Sequence, residues 1–157
     1  MKTPIKSSRC ITIVGPSQSG KTTLMESLLN VCGKIHQKGS VEKNSTLSDF
    51  LPEEHELKTS ISMSICNANF MDERFTFIDC PGSIDFINEF LQASRISDAC
   101  IIVAEPTTDK ILSLVPYFYY LNMLNIPHIL FINKVDKFDF NIKDLLGSLQ
   151  EYSSRPL

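Results

Sequence analysis

Residues 15 to 23 read Gly15-Pro16-Ser17-Gln18-Ser19-Gly20-Lys21-Thr22-Thr23, and the reading of this stretch decides the fold. It fits Gly-x-x-x-x-Gly-Lys-[Ser/Thr], a pattern whose chemistry is phosphate binding. Gly15 and Gly20 leave the backbone free to turn its amides inward, so the loop and first helical turn form a cradle of N–H donors at the positive end of a helix dipole. Lys21 adds a point charge that reaches the outer phosphates, and Thr22 offers a hydroxyl to a magnesium ion. An ordinary Gly/Ser turn before a helix would use similar residues. The flanks argue against it: Ile11-Thr12-Ile13-Val14 reads as a short buried strand, and Leu24, Met25, Leu28, Leu29 and Cys32 recur at helical spacing.

Working outward, the whole chain has 157 residues, 43% hydrophobic and 21% charged, which fits one globular domain with a real core. A net charge of −3 provides no overall positive field, so direct sequence-specific nucleic-acid binding is not expected. A ribonucleoprotein partner reached through a local patch stays open. Cys10, Cys32, Cys66, Cys80 and Cys100 form no Cys-x-x-Cys pair, and four of them fall inside apolar runs. Buried free thiols in a reducing compartment are expected. No apolar run has the length of a signal or a membrane span, so the expected setting is the cytoplasm; a monomer is expected as well.

Downstream of the first helix, from residue 33 to about 60, hydrophobic periodicity disappears. Charged residues alternate there with Ser, Asn, Gly and Pro. A segment this long without a packed face is either a solvated insertion or a functional loop. Order returns with Ile61, Met63 and Ile65, which alternate as in a strand with one covered face. A turn at Met71-Asp72-Glu73 leads to a second strand on Phe75, Phe77 and Ile78 that ends on Asp79. The two strands can pair as an antiparallel hairpin. A helix follows on Ile84, Ile87, Phe90, Leu91 and Ser94; then come a fully buried strand at 99–104, a long helix from about 108 to 122 that Pro116 is expected to kink, and another buried strand at 129–132. Leu145, Leu146 and Leu149 mark a last helix. Strand-helix alternation of this kind gives an open, mostly parallel α/β sheet.

In such a sheet ligands bind at the carboxyl ends of strands, and two further motifs stand there. Asp79-Cys80-Pro81-Gly82 puts a carboxylate and a free backbone amide beside the phosphate loop; the first suits a magnesium shell and the second a terminal phosphate. As a bare tetrapeptide it is also a common turn. Asn133-Lys134-Val135-Asp136 carries a base preference. Guanine presents N1–H and an exocyclic amine side by side, and one carboxylate accepts from both, whereas adenine offers no such pair.

With these three motifs in order, the chain resembles the GTP-binding domain of translational GTPases and is most similar to elongation factor G, over essentially its whole length. Leu51-Pro52-Glu53-Glu54-His55-Glu56 resembles the approach to that family's first switch, Asp85-Phe86 with Glu89 the helix after its second, and Asn125-Ile126-Pro127-His128-Ile129 the lead into its guanine strand. The resemblance implies a P-loop NTPase fold, three-layered α/β/α, with strand order 2-3-1-4-5 and one antiparallel edge hairpin. It implies a single GTP-binding domain over 1–157 with switch I at about 33–60. It also implies that a fifth motif, a Ser-Ala pair, and further domains would lie beyond Leu157.

The implied ligands are GTP or GDP and magnesium, held by residues 15 to 23, Asp79, Gly82, Asn133, Lys134 and Asp136. The metal falls to Thr22, Ser60 and Asp79, and the ribosome is the implied partner. Lys21 and Ser83 take the catalytic positions. Ser83 stands where the family has a histidine that positions the attacking water, Ser60 where it has a threonine, and Leu57-Lys58 where it has an arginine-glycine pair. A shorter hydroxyl at 83 cannot do an imidazole's work, and its other job would be to cap the next helix. These departures bear on hydrolysis and leave binding untouched. Two readings follow: a GTP-hydrolysing domain coupled to the ribosome, or a nucleotide-gated binding module that hydrolyses little. An ATP-using P-loop enzyme would require residues 133 to 136 to be accidental.

Overall fold

A computed structural model describes residues 8–39, 46, 60–107, 110–137 and 141–153. Much of the 33–60 stretch, including Leu51 to Lys58, lies outside the described residues, as do the last four positions.

Strand β1 (Ser8–Val14) is central, parallel to β3 (Glu73–Asp79) on one side and to β4 (Ala99–Ala104) on the other. β2 (Ser64–Phe70) adds antiparallel to β3, and β5 (His128–Ile132) adds parallel to β4, giving the five-stranded order β2-β3-β1-β4-β5. This is the expected order and the expected edge hairpin. Helix α1 (Lys21–Val31) follows β1, α2 (Ile87–Arg95) follows β3 after a short 3-10 turn at Ile84–Phe86, α3 (Ile111–Met123) links β4 to β5, and α4 (Ile142–Gln150) comes last.

The alternation of a strand explains the layering. Ile13 and Val14 are both fully buried yet face opposite sides of the sheet. Ile13 packs with Met25 and Leu29 of α1, and with Ala68, Phe77 and Val103. Val14 belongs to the other core, where Phe90 and Ala93 of α2, Phe118 and Leu121 of α3, and Leu145 and Leu149 of α4 cover the sheet. Each such buried aliphatic side chain contributes roughly 1.5–3 kcal/mol, so the sheet is held from both faces.

The boundaries differ from expectation in three places. The first hairpin strand starts at Ser64, not Ile61, because its ladder begins where Ser64 pairs with Asp79 at the end of β3. The turn is the pair Met71 and Asp72, with φ of 50° and 61°, leaving Glu73 in the ladder; two left-handed residues match the twist of a tight hairpin. The strand at 129–132, expected to be buried on both faces, is a sheet edge with Ile129 61% and Phe131 38% exposed. Pro116 lies inside α3 without ending it. The carbonyl that loses its helical partner belongs to Leu112, 73% exposed, where water can replace the bond.

All five cysteines are free thiols, but only Cys80 and Cys100 are buried, the other three being half-buried. Burial pushes the Cys100 thiol up to about 12 and moves Cys80 in the same direction.

Candidate nucleotide site

The carboxyl ends of β1, β3, β4 and β5 converge, and the three motifs leave the sheet there. Gly15, with φ 142°, passes so close to β4 that a Cβ would run into the Val103 carbonyl oxygen. Gly20 caps α1 in a left-handed conformation, φ 98°, and supplies no side chain to the helix end. No acidic residue occupies the first turn of α1. The helix start thus presents its positive end to an outside acceptor. Within the loop the Ser19 hydroxyl oxygen is buried with no hydrogen-bond partner among the described residues, a further polar atom turned inward.

Lys21 and Thr22 open the helix and are both buried, at 6% and 8% exposure. The Lys21 ammonium folds back to donate to the Pro16 carbonyl at 3.0 Å. Thr22 Oγ1 donates to Asp79 Oδ2 at 2.7 Å, joining the phosphate loop to the end of β3. Register accounts for the meeting: Ile13 of β1 lies beside Asp79 of β3. A buried hydroxyl and a buried carboxylate side by side form a hard oxygen donor set that fits a magnesium ion. Gly82 packs over the loop so closely that a Cβ would meet Lys21 Nζ, the Ser17 amide nitrogen and the Pro16 carbonyl carbon. Any other residue there would fill the cradle.

Ser83 has a different setting. Its hydroxyl donates to Asp85 Oδ2 at 3.0 Å and accepts from the Asp85 amide at 3.4 Å, capping the turn at Ile84–Phe86. Ser60 is half-buried; since Ser64 pairs with Asp79, the chain arrives from Ser60 past the same end of the sheet. Pro16 and Ser17 are half-buried, while Gln18 and Thr23 face solvent.

The third motif locks onto the first. Asn133 Nδ2 donates to the Ser19 carbonyl at 2.9 Å, an approach that a side chain on Gly20 would obstruct. Lys134 Nζ donates to the Gln18 carbonyl at 2.6 Å. Asp136 stands exposed in the turn closed by the Lys137 amide on the Lys134 carbonyl at 3.0 Å.

Three supporting residues escaped the sequence reading. Glu105, buried just after β4, forms ion pairs with Lys134 and Lys110; the only hint was a charge directly after an apolar strand. Glu26, 2% exposed in α1, accepts from the Gly39 amide at 2.8 Å and ties the helix to the start of the long loop. Tyr117 of α3 donates its buried hydroxyl to the Gly15 carbonyl at 3.1 Å. Burial, with the nearby Cys80, pushes that phenol up to about 12, so the donor is neutral at ordinary pH. Its contribution is complete below pH 10 and is lost as pH climbs from 10 to about 12. Tyr117→Phe should cost about 1–3 kcal/mol, because it strands a buried carbonyl. Urea unfolding of the nucleotide-free protein measures this, and an unchanged midpoint would mean that water satisfies Gly15.

Comparison with known proteins agrees with this geometry. A family model described as "Elongation factor Tu GTP binding domain" matches residues 6–155. An "Elongation factor G-like protein" from Synechocystis sp. is 40% identical over 152 residues, covering 97% of this chain and 23% of that protein. A crystal structure from Thermus thermophilus superposes with a TM-score of 0.84 at 28% identity, covering 91% of this chain and 22% of its own. The chain therefore spans less than a quarter of the length of either relative. The matched family model, the strand order and the loop geometry together establish that the chain belongs to the elongation factor Tu-type GTP-binding domain family.

Proposed function

We propose that this chain is the GTP-binding domain of an elongation factor G-like translational GTPase that hydrolyses GTP slowly, with magnesium, in concert with the ribosome. The observation that carries the reading is the joining of three motifs at one end of the sheet: Thr22 on Asp79, Asn133 on Ser19, and Lys134 on Gln18. Residues 15 to 23 hold the phosphates through backbone amides and the Lys21 ammonium. Thr22 and Asp79, with Ser60, hold magnesium, which when bound would neutralise charge on the phosphates. Gly82 offers its amide to the terminal phosphate. Asn133 and Lys134 brace the loop, and Asp136 reads the base. No described helix is long and apolar enough to cross a membrane, and the cytoplasm is the setting that the family implies.

A second reading, a nucleotide-gated binding module with little turnover, is favoured by one contact. The Ser83 hydroxyl is engaged with Asp85 on both its donor and its acceptor side. Its proton and one of its lone pairs are therefore committed to capping the turn. Ser83→His, in the full-length protein with ribosomes, should raise single-turnover hydrolysis at least about tenfold, since positioning a nucleophile in line is worth orders of magnitude. GTP affinity should stay nearly unchanged. A wild-type rate already equal to that of an ordinary elongation factor G, or a variant no faster than wild type, would rule out the slow-hydrolysis reading. Competition between GTP and ATP checks the base assignment in the same protein.

A further inference from the structure

We infer that Glu105 is a positioning residue for the nucleotide site. It holds Lys134, and through Lys134 the phosphate loop at Gln18, in the arrangement that receives a guanine nucleotide. The inference rests on the reading of residues 133 to 136 given above.

Ala104 pairs with Ile132 at the ends of β4 and β5, and the Asn133 amide donates to the Ala104 carbonyl at 2.8 Å. The two chains thus leave the sheet side by side, with Glu105 next to the base motif. The Glu105 side chain is only 3% exposed, and its Oε1 lies 2.6 Å from Lys134 Nζ. The same ammonium lies 2.6 Å from the Gln18 carbonyl. One lysine therefore bridges a buried carboxylate and the phosphate loop.

Both ends of the Lys134–Gln18 contact are conformationally unusual. Lys134 has φ 57° and Gln18 φ 63°, a left-handed region that residues with a side chain keep only where their surroundings over-determine it. The charged contact to Glu105 supplies that constraint. Without it Lys134 would retain the Gln18 carbonyl, a neutral acceptor, and the turn could relax. Burial pushes the Glu105 carboxyl up, but the hydrogen bonds and charges of Lys110 and Lys134 outweigh it and hold the group below its usual value. The carboxylate is therefore charged at neutral pH.

Lys110 supplies the internal control. It caps α3 and lies 2.5 Å from Glu105 Oε2, with 44% of its side chain exposed. If Glu105 served only to anchor the start of α3, losing Lys110 would matter as much as losing Glu105. Release of fluorescent GDP should be timed for each variant alongside its nucleotide-free melting temperature. Glu105→Gln should speed release by about tenfold or more, the size expected for coupled neighbours in one charge network. Glu105→Asp keeps the charge on a shorter arm and should fall between Glu105→Gln and wild type. It decides the matter alone if the glutamine variant does not fold. Lys110→Met should release GDP within about twofold of wild type, as expected when the Lys134 contact is intact.

Wild-type release rates in both Glu105 variants would overturn the inference. Acceleration by Lys110→Met equal to that by Glu105→Gln would do the same. Titration of the wild type with GDP and ADP separates the two levels. Equal affinities would remove the base reading and the role of Glu105 with it, whereas a GDP preference with unaltered Glu105 variants would remove only the latter.

Discussion

Lys21→Ala is expected to weaken GTP binding by about 2–5 kcal/mol, roughly thirtyfold to several thousandfold, the range for truncating one member of a desolvated charge pair. Lys21 is buried, with 6% of the residue exposed, and its ammonium sits where Gly82 crosses the loop. Its contact with the Pro16 carbonyl at 3.0 Å lies within the loop itself. An ammonium beside a cradle of backbone donors gains a strong partner when an anionic ligand arrives, so the largest effect of losing the charge is expected on ligand binding. The nucleotide-free melting temperature of the alanine variant should accordingly stay close to wild type. Equilibrium titration with a fluorescent GTP analogue, paired with thermal unfolding, reads both quantities. A sharp fall in melting temperature with unaltered GTP affinity would make Lys21 a structural lysine and would undo the reading of residues 15 to 23.

Those residues were legible in the sequence because their chemistry is local. A glycine that must turn, a lysine and hydroxyl at a helix start, and a strand before them all follow from spacing along the chain. Asp79 was legible for a related reason, since a carboxylate ending an apolar strand stands out. The supporting residues were not. Tyr117 reaches Gly15 across 102 positions, and Lys134 reaches Glu105 across 29. Such pairings exist only once the sheet has set its register, and nothing in the neighbourhood of either residue announces them. β5 shows another limit: an uninterrupted apolar run reads alike for a central strand and an edge. The exposure of Ile129 and Phe131 is a property of the strand order, in which β5 comes last. Ser83 is an intermediate case. Its position as a helix cap was legible from residue type, and the structure adds that both faces of its hydroxyl are used.

The base assignment carries the other large effect. Asp136→Asn is expected to lower GTP affinity at least a hundredfold and to raise affinity for xanthosine nucleotides. Guanine's N1–H and exocyclic amine both donate to one carboxylate, and charge-assisted bonds are worth about 1.5–3 kcal/mol each. Loss of the charged pair therefore exceeds the roughly 2.7 kcal/mol that a hundredfold requires. An asparagine presents one acceptor and one donor, which pair with the N1–H and the neighbouring carbonyl of xanthine, so the substitution exchanges one pattern for another. The scaffold should tolerate it. Asp136 is exposed in its turn, and surface changes of this type usually move stability by less than about 0.5 kcal/mol. Asn133 and Lys134, meanwhile, remain tied to the carbonyls of Ser19 and Gln18, so the variant changes the edge that meets the base while leaving the loop beneath it braced. Competition of GDP and XDP against a fluorescent nucleotide, on wild type and variant side by side, measures the exchange. Equal GDP affinity in the two proteins would mean that Asp136 does not contact the base, and the guanine preference would then have to come from another part of the pocket.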